Sequence, residues 1–102
     1  MNIKVWKLIN GEELIGDVAN SFDQFIEVKN PAQIMLQRTE QGVGVGLAPT
    51  MPYVEGNFKI MRTAIAIEGE PNQQMANEYN RLFGSGIQVV PASALSGLVT
   101  AT

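Results

Sequence analysis

Gly11-Glu12-Glu13-Leu14-Ile15-Gly16, followed a turn later by Asp23-Gln24-Phe25-Ile26-Glu27-Val28, sets out two strands and the turn that opens them. Asn10-Gly11 is a strong turn dipeptide, and it separates a run of β-formers, Ile3 to Ile9, from a second strand over Glu13 to Asn20. In that second strand Leu14, Gly16 and Val18 alternate with Glu13 and Asp17, the pattern of a half-buried strand leaving a tight hairpin. A third strand runs from Phe25 to Gln37, with Ile26 and Val28 on one face and Glu27 and Lys29 on the other. Pro31 has no N–H to give a ladder, so it marks an edge, bulge or bend within that strand. A small closed barrel needs such a bend.

Outward from this stretch the chain stays mostly β. Gln41-Gly42 turns it into Val43-Gly44-Val45-Gly46-Leu47, and Pro49 to Asn57 reads as the longest loop. Phe58 to Ile67 returns as one strand. Asn72 to Phe83 is the one convincing helix, with Pro71 near its start and Gly84 just past its end. Met75, Ala76, Tyr79, Leu82 and Phe83 share a face at helical spacing, which reads as core or subunit interface. Ile87 to Val90 is a last short strand before Pro91, and Ala92 to Thr102 shows no clear period. No internal repeat and no linker divides the chain, so residues 1–102 form one domain.

The 102 residues are 45% hydrophobic and 17% charged, a composition for a packed core rather than a disordered chain. A domain of this size is marginal alone and gains from oligomerising. The net charge is −3 and the seven basic residues are scattered, so no basic patch awaits a nucleic acid. With neither cysteine nor histidine, the chain has no disulfide, no thiol nucleophile and no histidine acid–base chemistry. No cofactor is expected. The absence of a secretory pattern and of a spanning apolar run points to a cytoplasmic, non-membrane protein.

The run Asp23-Gln24-Phe25-Ile26-Glu27 resembles the first motif of the Sm-like (LSm) family, whose small β-barrels assemble into rings. Ile67-Glu68-Gly69 is the counterpart of that family's second motif, Ile-Arg-Gly. In overall layout the chain is also similar to small Sm-like proteins encoded by marine cyanophages, which would place it in the cytoplasm of a bacterial host. The resemblance implies a mostly β fold: a small Sm-like or SH3-like, strongly bent antiparallel barrel with one helix, about 72–83, inserted before the last strand. It implies a homo-oligomeric ring of about five to seven subunits, closed by head-to-tail strand addition. The function it implies is a non-enzymatic binding or scaffolding unit. The alternative is an RNA-binding ring whose base pocket draws on Asp23, Phe25, Glu27, Glu68 and Gly69. In RNA-binding members the aromatic stacks a base, an Asn reads its edge and an Arg closes over it. Here Glu27 stands for the Asn and Glu68 for the Arg, and both substitutions build negative potential where phosphates would pass.

Other features have plainer readings. Glu12, Glu13 and Asp17 are the solvated side of a hairpin, since no loop of ligand-spaced oxygens follows. The alternate glycines Gly42, Gly44 and Gly46 read as close packing on one strand face, not a phosphate loop, because no helix and lysine follow them. Gly84-Ser85-Gly86 is a helix stop. Met51, Pro52 and Tyr53 offer a loop for a peptide partner, in a monomeric SH3-like barrel, or else pack on their own barrel. An enzyme using the carboxylates near Asp17 or Asp23 lacks any visible base–nucleophile pair.

Overall fold

Asn10 and Gly11 turn the chain as their chemistry dictates. Gly11 takes φ +93°, a conformation glycine tolerates without strain, and its N–H donates to the Leu8 carbonyl at 2.9 Å. The Asn10 side chain accepts the Glu12 N–H at 3.0 Å. This hairpin joins β1 (Ile3–Leu8) to β2 (Glu13–Ser21), with Trp6 opposite Leu14. The structure, a computed structural model, describes residues 1–83.

Four more strands follow: β3 (Phe25–Thr39), β4 (Gly42–Pro49), β5 (Phe58–Met61) and β6 (Ile65–Gly69). The helix α1 (Gln73–Phe83) comes after them. The antiparallel sheet runs β4-β3-β2-β1-β6, and β5 pairs with the first residues of β3. The stretch Phe58 to Ile67, expected as one strand, is two strands separated by a 3-10 turn, Arg62–Ala64. Arg62 causes the break: its N–H donates to the Gln24 carbonyl at 3.0 Å and its guanidinium Nε to the Phe22 carbonyl at 2.6 Å. The chain is thereby pinned to the β2–β3 turn while it crosses from the edge of β3 to the edge of β1.

The expected closed barrel is corrected here: the sheet does not close. Of the described strands, β4 and β6 end the sheet path and do not pair with each other. The physical reason lies in β3. Its far edge is divided, Phe25–Val28 taking β5 and Ala32–Thr39 taking β4, with a bend between them. At that bend β3 carries one more residue than β2: Ile15 faces Ala32 but Asp17 faces Lys29, so Gly16 opposes both Asn30 and Pro31. Pro31 thus sits in a bulge, one of the sites its missing N–H allows, and Asn30 takes φ +49°.

Both faces of the sheet are covered. Trp6, Leu14, Ile26 and Val28 form one cluster with Leu8, Val18, Ile60 and Ile65 around it. Ile15, Ala32 and Tyr79 form the other, with Ile3, Val5, Ile34, Leu47, Met75 and Phe83. The strand β2, expected to be buried on one face only, therefore holds Leu14 against one core and Ile15 against the other. α1 supplies the second cover. Asn72 caps it, its Oδ1 accepting the Met75 N–H at 2.8 Å, so the helix starts at Gln73 rather than Asn72. Met75, Tyr79 and Phe83 face the sheet as their spacing predicts, while Leu82 stays 45% exposed. The expected last strand at Ile87–Val90, which would have made the helix an insertion, lies outside the described residues.

Gly16 is where the bulge meets the first core. A Cβ built there would lie 2.3 Å from Val28 Cγ1 and 3.3 Å from the Trp6 ring. Val28 and Trp6 are fully buried and have nowhere to retreat. Gly16→Ala is expected to destabilise the fold by about 1–3 kcal/mol, the usual cost of overpacking. Chemical denaturation of the two proteins measures it.

Tyr79 holds the bulge from the other face. Its hydroxyl lies 3.0 Å from the carbonyls of both Lys29 and Asn30, sharing one proton between two oxygens at the bulge. Burial raises the pKa of this phenol well above its ordinary value, and the nearby Asp17 charge adds to the rise. The folded state thus keeps a proton that the unfolded chain releases near pH 10.0, so this contribution is whole below that pH and is lost as pH rises further. The slope is at most about 1.4 kcal/mol per pH unit. Tyr79→Phe is expected to cost about 1–3 kcal/mol at neutral pH, because it strands the two carbonyls. It should also flatten the alkaline limb of stability against pH, measured by urea unfolding.

Candidate interaction surface at the β4 edge

The β3–β4 hairpin closes through a two-residue turn, Glu40-Gln41, with Thr39 opposite Gly42. Its hydrogen-bond phase follows from two facts. Thr39 and Gly42 are the closing pair, and further along the same register the Thr50 N–H donates to the Pro31 carbonyl at 2.8 Å. In an antiparallel pair the bonded positions alternate. Gly42, Gly44, Gly46 and Ala48 therefore direct their backbone groups into β3, and Val43, Val45 and Leu47 direct theirs outward. No described strand meets that outer edge. Pro49 ends the strand at a position whose N–H would have pointed outward.

The outward-facing backbone and the apolar side chains belong to the same residues. Leu47 and its neighbour across the hairpin, Ile34, pack under α1. By the two-residue period of a strand, Val45, Val43 and Leu36 lie on that face too, but past the end of the helix. Leu36 is 70% exposed, Val43 64% and Val45 40%. Between them and β6 runs a groove of about 550 Å³ lined by Val5, Ile34, Leu36, Val45, Ile67 and Met75. Lys7, Glu13 and Glu70 stand on its rim. On the opposite face, the Gln37 side chain lies across Gly46, 3.3 Å from where a Cβ would be. Of the three alternate glycines expected to pack closely, only Gly46 has such a neighbour, the Gln37 side chain; a Cβ at Gly44 would meet only the Gln37 carbonyl at 3.9 Å and one at Gly42 nothing within 4 Å.

β4 differs from the other outer strands. It has eight residues, no charge and no internal proline. β5 has four residues with Lys59 among them, and β6 has five with Glu68. Short, charged edges discourage strand addition, and a long uncharged one invites it. A second concavity of about 500 Å³ lies on the Trp6 face, between β5 and the end of β4, with Leu8, Leu14, Pro31, Phe58 and Ile60 among its walls.

The residues expected at a base pocket fall into two groups. Phe25 packs against Phe22 with ring centroids 4.9 Å apart, and Lys59 Nζ sits 5.0 Å from the Phe25 centroid. Glu27 accepts the Asn20 side-chain amide at 2.8 Å, and Asp23 is exposed in the β2–β3 turn. Glu68 accepts Trp6 Nε1–H at 2.9 Å, and Gly69 pairs with Val5. Trp6 is level with Leu14, whereas Glu27 pairs near the far end of β2, at Asn20. Along the strand that separation is on the order of 20 Å. Asp23, Phe25 and Glu27 follow one another along the β2–β3 turn and the start of β3, each with other neighbours, and Glu68 and Gly69 lie beside Trp6 and Val5 instead. Reasoning from motifs passed over β4; the signal available in the sequence was the absence of any charge from Gly42 to Pro49.

No protein-family model matches the chain, and no curated protein matches it. Together with the unclosed sheet, this overturns the expectation of an Sm-like ring, in its scaffolding form and in its RNA-binding form alike: ring closure by head-to-tail strand addition was argued from a barrel that is not formed. The mostly β character stands. Among the described residues no helix is long and apolar enough to cross a membrane, and no group of three or more carboxylates is placed to hold a metal ion.

Proposed function

We propose that this protein is a protein-interaction module that accepts an extended segment of a protein partner as an added strand on the outer edge of β4. The observation that carries the reading is the coincidence, at Val43 and Val45, of outward backbone donors and acceptors with exposed apolar side chains. Strand addition draws affinity from main-chain hydrogen bonds and selectivity from the side chains at alternate positions. On the apolar face of β4 the alternate side chains of an added strand would lie beside the exposed Val43 and Val45, which favours Val, Ile or Leu over charged residues there. The role is non-enzymatic: it needs no histidine, cysteine or cofactor, and the chain contains neither of those residues.

The test uses a fluorescein-labelled eight-residue peptide alternating valine and threonine, titrated with the protein and followed by polarisation. Saturable binding is expected. Val45→Pro removes an N–H that no described strand meets, so the hairpin survives while the added strand loses a central hydrogen bond. Weakening of about tenfold or more is expected, since one net hydrogen bond contributes roughly 1 kcal/mol and proline also disturbs its neighbours. Leu36→Asp, which leaves the backbone untouched, is expected to weaken binding by a similar factor. No binding of this peptide by the unaltered protein would defeat the reading.

A further inference from the structure

The segment that best fits the β4 edge is β4 itself, and we infer that two copies of this chain pair antiparallel through β4 about a two-fold axis at Val45. This inference rests on the strand-addition reading and names the partner.

The first argument is register. In an antiparallel pair, residues directly opposite one another point to the same face, and bonded pairs exchange both hydrogen bonds. With Val45 on the axis, Val45 faces its own copy, and Val43 and Leu47 face the partner's Leu47 and Val43. All three outward-facing residues then meet outward-facing residues, for about six hydrogen bonds across the seam. Moving the axis to Val43 sets Val45 against Gln41 in the turn. Moving it to Leu47 sets Val45 against Pro49, which has no N–H. The position of Pro49 and of the turn thus selects one register out of those that keep valines together.

The second argument is the side chains. In the same register the valine and leucine positions of both copies form one apolar strip, continuous with Leu36 and the groove below it. The glycines of both copies share the opposite face, where Gln37 already lies over Gly46. A partner strand with larger side chains at the glycine positions would have to displace Gln37. β4 does not.

The third argument is charge. The chain carries a net −3, so two copies repel unless they meet on neutral ground. β4 has no charged residue over its eight positions, about 27 Å of contact length. Among the described outer strands it alone offers that, β5 holding Lys59 and β6 Glu68.

Sedimentation of the full chain across a concentration series up to hundreds of micromolar tests the inference. A reversible dimer is expected, with Val45→Pro monomeric at the same concentrations and unchanged in its far-ultraviolet circular dichroism. Cysteine scanning supplies a second readout in a chain that has no cysteine of its own. Opposed residues in a bonded antiparallel pair lie about 5.5 Å apart at Cα, within disulfide range. Val45→Cys is therefore expected to form a disulfide with its own copy under mild oxidation, and Val43→Cys alone is not. A dimer that persists in Val45→Pro, or a Val43→Cys that cross-links as readily as Val45→Cys, would overturn the inference. So would a monomer throughout the series. If that monomer binds the valine–threonine peptide, strand addition by another protein stands without the self-pairing; if it does not, both readings fall together.

Discussion

The bulge at Asn30 and Pro31 bends β3 and so decides which strands its two halves can pair with, β5 on the first and β4 on the second. It is held from one side by the space that Gly16 leaves beside Val28 and Trp6, and from the other by the Tyr79 hydroxyl on the carbonyls of Lys29 and Asn30. An unbulged β3 would run its fifteen residues against one continuous neighbour. The bulged strand bends, and its far edge divides between β5 and β4. Everything distal to the bend follows: β4 departs with the second half of β3, and β5 returns to the first half. The 3-10 turn at Arg62 carries the chain across the remaining gap without hydrogen bonding β5 to β6.

The local elements were legible because local chemistry decides them. Asn10-Gly11, the alternation from Glu13 to Val18, the proline at position 31 and the face of Met75, Tyr79 and Phe83 each state their conformation within a few residues. Closure was not legible, for a physical reason. Alternation reports which face of a strand is covered and says nothing about which strand lies beside it, so an open wrapped sheet and a closed barrel share one pattern. The split of Phe58 to Ile67 was hidden likewise, since Arg62 breaks the strand through bonds to Ser21 and Phe22, forty residues or so away. The second cover on β2 came from the same kind of distance: Ile15 shares the outward face of Glu13 and Asp17 until α1 arrives over it.

The candidate surface divides in the same way. Phe25 and Glu27 lie on one strand with Asp23 in the turn just before it, and they stay near one another because they are neighbours in sequence. Glu68 and Gly69 reach that run only through a particular long-range fold, and this fold sends them to Trp6 and Val5 instead. The Trp6 indole is buried and has one hydrogen to donate, so its bond to Glu68 serves the core and fixes that carboxylate. What carries interaction chemistry at β4 is mostly backbone, and backbone leaves no residue signature beyond the lack of charge that would otherwise guard an edge.

The hairpin arm formed by the second half of β3 and by β4 is too thin to be an end in itself. Among the described residues, past Ile34 and Leu47 it leaves the cover of α1 and becomes two strands, with Leu36, Arg38, Val43 and Val45 on one side and Met35 and Gln37 beside the glycines on the other. Two strands without a covering layer are marginal in water. A protein that needed only a stable fold would be served by a shorter hairpin, or by a lysine on its rim. Keeping eight uncharged residues in β4, with Gly44 and Gly46 in the strand interior at a cost of about 0.5–1 kcal/mol each relative to alanine, weakens the isolated hairpin. Those same glycines leave β4 without side chains at Gly42, Gly44 and Gly46, so that only Met35, Gln37 and Thr39 of β3 stand on that face of this part of the arm. The local loss of stability and the openness of the edge therefore have a single origin, and a strand added along β4 offsets the first by using the second.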